Sequence, residues 1–288
     1  AFSLHFLLSI GGLVSFGHAA WFGLGAYGAA LLVHHLGAGM IPALLAAPLA
    51  GGLGALLFGR ICVRLSGIYL AMLTLAVAQI LHGAAVQWVE LTGGDNGLLG
   101  IWPAAWAGTR ARYYLLTLTF CLLGVAVLHH AVHAPFGYAL RAARDRPLRA
   151  EAIGIAVERQ RWLAFGLSGA AAGLASGLYA FSKGSVGPET LAIATSLDAL
   201  VMVLLGGVET VMGPLVGAAT LTLLQDFLMP LTDYWRGLMG LVIIAVVLIL
   251  PEGLLGMALH LPRRRTAGDD RAATDTPVGA GMAAEPGP

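Results

Sequence analysis

The sequence predicts an all-α polytopic membrane protein with about nine transmembrane helices, some of them glycine-interrupted, and one long basic loop on the cytoplasmic side. Three observations predict it. Of the 288 residues, 58% are hydrophobic and only 11% charged, whereas an ordinary soluble domain carries about 25% charged residues. Apolar runs of roughly 20 residues recur along nearly the whole length, and each can cross about 30 Å of hydrocarbon as a helix with its backbone paired internally. The arginines are sorted: alternating crossings place eleven of them on the side of the basic loop, the asymmetry that retains such loops in the cytoplasm. The formal charge of +1 does not point to nucleic acid, because in a membrane chain the placement of arginines matters more than their sum.

Taken in order, the crossings fall at residues 2–14, 18–36, 40–59, 67–88, 113–132, 162–181, 191–208, 211–228 and 238–250. Residues 1–10 already read as membrane helix without the charged start of a signal peptide, so the natural chain is expected to begin further upstream. In the fourth run Gln79 and His82 lie three apart and share a helical face, which should point into the bundle, as interhelical glue, or toward a wet path. The loop after it, TGGDNGLLG at residues 92–100, has the composition of tight outward turns, with Thr92, Gly93, Gly94, Asn96 and Gly97 as candidate path-lining positions. Trp102 and Trp106 suit an interfacial belt.

The basic loop, residues 135–161, holds six arginines. Its centre reads as a short amphipathic helix, with Leu140, Ala143, Leu148, Ala152 and Ile153 among the charges and Gly154 to end it. Retention in the cytoplasm accounts for the arginines but not for their mixture with Asp145, Pro147, Glu151 and apolar residues, which is the texture of a docking ridge for another protein. Beyond the loop, Gly169, Gly173 and Gly177 form a stripe of small residues that lets a second helix approach closely. Residues 11–32 and 206–224 share a glycine-broken texture, and such pairs mark inverted repeats around a midplane path, with Gly206 and Gly207 in the second break. Residues 1–260 thus form one transmembrane domain, and 261–288 turn polar and are expected to be disordered.

Several chemical readings fail. Gly23, Gly25 and Gly28 spell GxGxxG inside an apolar helix with no strand before it, and no phosphate-binding lysine motif occurs, so neither dinucleotide nor ATP is held by this chain. His129 and His133 have i, i+4 spacing but no acidic or cysteine neighbour, so they read as interfacial, and no metal or other cofactor is expected. Cys62 and Cys121 show no ligand spacing and no disulfide is expected. Paired catalytic residues are lacking, so the chain is not read as an enzyme. Asp198 and Asp226 fall in or near apolar helices, where a carboxylate is costly and by default functional; at a shifted boundary, Asp198 is a helix N-terminal acid.

Residues 141–180, RAARDRPLRAEAIGIAVERQRWLAFGLSGAAAGLASGLYA, resemble the coupling loop and following helix of the permeases of branched-chain amino-acid ABC importers, the LivH/LivM family, most closely the M type. SFGHAAWFGLGAYGAALL (15–32), VRLSGIYLAMLTLAVAQI (63–80), LTGGDNGLLGI (91–101), VMVLLGGVETVMGPLVGAA (201–219) and LILPEGLLG (248–256) are similar to that family in its order. The resemblance implies a cytoplasmic coupling loop in which Arg141, Arg144, Asp145, Arg149, Glu151 and Gly154 receive the stroke of two cytoplasmic ATP-binding subunits. It also implies a second permease (paralogue or self), an extracytoplasmic substrate-binding protein and a bacterial inner membrane as the lipid setting. Branched-chain or other hydrophobic amino acids are the implied cargo, with urea or short amides carried by close relatives. The competing class is an ion-coupled secondary transporter using Asp198, His82 or Asp226.

Overall fold

The computed structural model describes residues 1–230, 234, 237–241, 244 and 253–258. Helices account for nearly all of it: α1 (Phe2–His5, prolonged by a π-turn over Phe6–Ile10), α2 (His18–Leu36), α3 (Met40–Cys62), α4 (Ile68–Gln87), α5 (Val89–Thr92), α6 (Arg110–His133), α7 (Pro135–Asp145), α8 (Pro147–Ala152), α9 (Val157–Lys183), α10 (Ile193–Gly206), α11 (Gly213–Leu228) and α12 (Gly253–Ala258). Among the described residues, four helices are long and apolar enough to cross a membrane: α3, α4, α6 and α9. Helix α2 has 19 residues, but glycines and terminal histidines dilute its hydropathy. Helices α10 and α11 are shorter, with 14 and 16 residues. Most of the ninth expected run, residues 238–250, and the whole tail 261–288 lie outside the described residues.

Helix ends follow local chemistry. Gly37, at φ +58°, closes α2 in a left-handed cap while Ala38 N–H returns to the Leu32 carbonyl at 3.1 Å. Pro135 takes the first position of α7 and holds Ala134 extended, which stops α6. Pro147 opens α8 in the same way.

The centre of the bundle is the trio α2, α3 and α9, packed through small residues. A Cβ on Gly173 would overlap the Ala47 carbonyl oxygen, one on Gly169 the Ala55 methyl, one on Gly177 would stand 2.7 Å from the Ala47 methyl, and one on Gly25 the backbone of Gly173. The two helix backbones touch, which only glycine permits. Around this seam Trp21, Phe165 and Leu70 are fully buried. Outward, Ile41, Leu45, Leu49, Leu53, Leu57 and Ile61 recur every fourth residue along α3, each more than half exposed, as on a surface solvated by lipid or a partner.

The first expected crossing, residues 2–14, is not one helix. Gly11 and Gly12 break it, Gly12 at φ +63°, and residues 13–17 return into the bundle without helical structure. Helix α2 therefore starts deep inside. His18 Nε2 and Ser3 Oγ are hydrogen-bonded at 2.8 Å, and Ser168, midway along α9, donates to the Ser3 carbonyl at 2.6 Å. A second such segment follows α9: Gly184 (φ +71°) ends the helix, and Ser185–Val186 pairs antiparallel with Leu98–Leu99. A 3₁₀ turn, Pro188–Leu191, then packs on α2 and α4 before α10 begins. The two breaks meet where Ala19 N–H donates to Ser196 Oγ at 2.8 Å. Irregular backbone is tolerated at this depth only where protein supplies the missing partners, and here Thr74 adds one by accepting from Phe16 N–H at 3.2 Å.

Candidate coupling hairpin and pathway face

Helices α7 and α8 form a short hairpin between two membrane-length helices, α6 and α9. Its buried side is apolar: Leu140 joins Ile10, Leu13 and Val132, while Ala143, Ala150 and Val157 make a small cluster of their own. Gly154, at φ +90°, turns the chain into α9, its N–H bonded to the Glu151 carbonyl at 2.9 Å. Arg161 donates to the Ala143 carbonyl at 3.3 Å and fixes the hairpin to the foot of α9.

The outer side carries the side chains that remain available. Leu148 is 81% and Ile153 76% exposed, flanked by exposed Arg146, Arg149 and Glu151. Asp145 is also exposed and accepts from Arg144 Nε at 2.8 Å, and Arg141 lies over the Tyr138 ring at 5.6 Å. Arg144 differs from its neighbours, for its Nη1 donates inward to the Ser9 carbonyl. Beside α8 a cleft of about 550 Å³ is lined by Arg60, Arg64, Glu151, Glu158, Arg159 and Trp162. Trp162 fixes one wall, donating Nε1–H to the Leu56 carbonyl at 2.7 Å under the Arg60 guanidinium.

The remaining candidates lie at four places. Gln79 is exposed and His82 half-buried on the outward face of α4, and Asp198 is half-buried on α10, which packs against α4. Thr92 is buried, donating to the Ala85 and Trp88 carbonyls at 2.6 and 2.7 Å. Gly93, Gly94 and Gly97 all have positive φ, and Gly97 lies flat on the Val186–Gly187 backbone. The turn is thus a rigid one that presents Asp95 and Asn96 to the exterior. Gly206 and Gly207 close the α10–α11 turn, where Cβ atoms on Gly206 and Gly253 would overlap Gly213 and Gly207. Asp226 is exposed on α11. Residue-type reasoning passed over the seam of Ser3, His18, Ser168 and Ser196, although polar residues inside apolar runs were a signal for it. Among the described residues no cluster of three metal-ligating side chains occurs.

The family model described as "Branched-chain amino acid transport system / permease component" matches residues 1–247. Two relatives are named high-affinity branched-chain amino acid transport system permease protein LivM, from Salmonella typhimurium and Escherichia coli. Each is 27% identical over 281 residues, covering 88% of this chain and 66% of the relative. A probable branched-chain amino acid transport permease protein LivH from Methanocaldococcus jannaschii is 30% identical over 159 residues, 52% of this chain and 50% of that one. The chain thus spans just under two thirds of the length of the LivM proteins it matches. No solved structure matches it.

Proposed function

Because the chain belongs to the branched-chain amino acid transport permease family, we propose that it is the membrane subunit of an ABC importer for branched-chain or other hydrophobic amino acids. Separate cytoplasmic ATP-binding subunits drive it through the α7–α8 hairpin. The observation that carries this reading is the exposure of Leu148 and Ile153, at 81% and 76%, on a basic hairpin between two membrane-length helices. Two large aliphatic side chains exposed outside any core among charged neighbours are what a protein partner covers, and the surrounding Arg146, Arg149 and Glu151 supply a charged rim.

In this reading a pair of ATP-binding subunits closes on ATP, pushes the hairpin of each permease, and rocks two permeases, identical or paralogous, between outward-facing and inward-facing states. A binding protein delivers substrate at the outer turn around Asn96. The path runs along the α4–α10 face, where Gln79, His82 and Asp198 stand. An exposed amide partway along a membrane-crossing helix is costly against lipid, which favours a wet, partner-covered face there. A multi-pass arrangement in the bacterial inner membrane, in which residues 2–14 enter as a broken segment, with residues 1–260 as the permease domain and 261–288 as a cytoplasmic tail, completes the topology.

The test is Leu148→Glu with Ile153→Glu in the co-expressed importer. Burying one such side chain contributes about 1.5–3 kcal/mol, so losing both should weaken capture of the ATP-binding subunits by about a hundredfold or more. Undiminished co-purification and leucine uptake in proteoliposomes would remove the hairpin from the docking surface. Uptake by this chain alone under an ion gradient would replace the importer with a secondary transporter.

A further inference from the structure

We propose that Arg144, though itself exposed, is a strut that carries movement of the α7–α8 hairpin to the re-entrant segment at residues 11–17. The inference rests on the reading of that hairpin as the docking element.

Two contacts define the strut. The guanidinium Nη1 donates to the Ser9 carbonyl in the π-turn that ends α1. At that helix end Gly11 N–H is shared between the Phe6 and Leu7 carbonyls, and Leu13 N–H also returns to Leu7. The Ser9 carbonyl faces outward from this knot, and an arginine is a favourable partner for a helix C-terminus. The aliphatic stem of the same side chain lies on Gly12, where a Cβ would overlap Arg144 Cγ and the backbone is left-handed at φ +63°. The head and stem of one residue thus hold both sides of the break. Asp145 accepts from Nε at 2.8 Å and fixes the guanidinium plane.

What Arg144 touches is tied onward at discrete points. Residues 13–17 are pinned to α4 by the bond from Phe16 N–H to Thr74 Oγ1. At Gly17 a Cβ would overlap the Thr74 carbonyl, so the two backbones cannot slide apart without losing contact. Two residues later, Ala19 N–H reaches Ser196 at the start of α10. A push on α7 therefore arrives at α4 and α10, the two helices that carry Gln79, His82 and Asp198, through backbone contacts and few flexible side chains. A π-turn is a defect suited to such a position, because its hydrogen bonds can revert to the α pattern with a one-residue shift. The surface residues of the hairpin, Arg149, Glu151 and Leu148, have no counterpart of these inward contacts among the described residues.

Spatial contiguity alone does not establish coupling, so the test is a double-mutant cycle on the complete importer in proteoliposomes, read as radiolabelled leucine imported per ATP hydrolysed. With Arg144→Gln, the ATP-binding subunits should co-purify at wild-type stoichiometry while the transport-to-hydrolysis ratio falls by about tenfold. Arg144→Lys, which can still donate to a carbonyl, should recover part of the loss. Gly12→Ala should reproduce the defect from the other side of the contact, and the double variant should be no worse than the poorer single one. Loss of the ATP-binding subunits from Arg144→Gln, an unchanged ratio, or losses that multiply would each overturn the strut. Should Arg144→Gln not fold, the Arg144→Lys and Gly12→Ala variants carry the same comparison. A wild-type complex that imports leucine while every Arg144 and Gly12 variant matches it overturns this inference alone. A wild-type complex that neither hydrolyses ATP nor imports leucine overturns the importer reading beneath it.

Discussion

Replacing Gly173 by alanine adds one methyl where the α3 and α9 backbones touch, and the structure sets what that methyl meets. The new Cβ would overlap the Ala47 carbonyl oxygen and stand 3.1 Å from both the Ala47 carbonyl carbon and Pro48 Cα. All three are backbone atoms of α3, so no side-chain rotation relieves the contact and α3 must move as a body. Pro48, inside α3, already removes one backbone hydrogen bond at this level. Overpacking of this kind costs about 1–3 kcal/mol, while the better helix propensity of alanine returns up to about 1 kcal/mol. The net expectation is a loss of about 1–2 kcal/mol, or a melting temperature lower by about 2–8 °C. Gly83→Ala is the matched control, because nothing lies within 4 Å of its added Cβ; it keeps the propensity gain without the clash. Thermal unfolding of the purified permease in detergent, followed by circular dichroism, compares them. Equal melting temperatures for the two variants would show that the α3–α9 approach is loose and the glycine stripe incidental.

Ser196→Ala removes the acceptor of the Ala19 N–H, a buried pairing at 2.8 Å, and an orphaned donor costs about 1–3 kcal/mol; the melting temperature should fall, whereas Ser196→Thr should keep the bond and the stability. Gln79→Leu changes an exposed amide on α4: a wet pathway face predicts slower leucine uptake at undiminished stability, and a gain in stability with normal uptake would return that face to lipid.

The helices of this chain were legible because their cause is local. The apolar runs read at residues 40–59, 67–88, 113–132 and 162–181 lie within a few residues of the helices at 40–62, 68–87, 110–133 and 157–183, and the spacing of Gly169, Gly173 and Gly177 puts them on one face by helix geometry alone. The re-entrant segments were not legible, since their cause is remote. Residues 11–17 are as apolar as a helix, and what permits them to be extended is an acceptor on Thr74, 58 positions away; the start of α2 depends on Ser196, 177 positions away. Composition records neither distance. The same holds for Arg144. Its charge pattern is that of Arg149, and only the placement of the Ser9 carbonyl distinguishes a side chain tethered to the end of α1 from one without that contact.

Residues 11–32 and 206–224 share a glycine-broken texture, and the stretch that lies against the start of α2 is the one running through Pro188–Leu191 into α10. In each break the chain leaves a helix, enters the bundle as irregular backbone and starts a new helix inside it. Both new helices begin at the level of Ala19 and Ser196, so their N-terminal ends converge, and such ends carry partial positive charge. Two like ends brought together repel unless polar groups lie between them, and Ser196, Ser3 and His18 occupy that level. Ser196 meets this directly by accepting the Ala19 N–H, and the Ser3–His18 pair lies beside it. In the proposed importer, a joint held by a few hydrogen bonds between two helix ends, instead of by continuous helix, is the place where a push on the hairpin would be taken up.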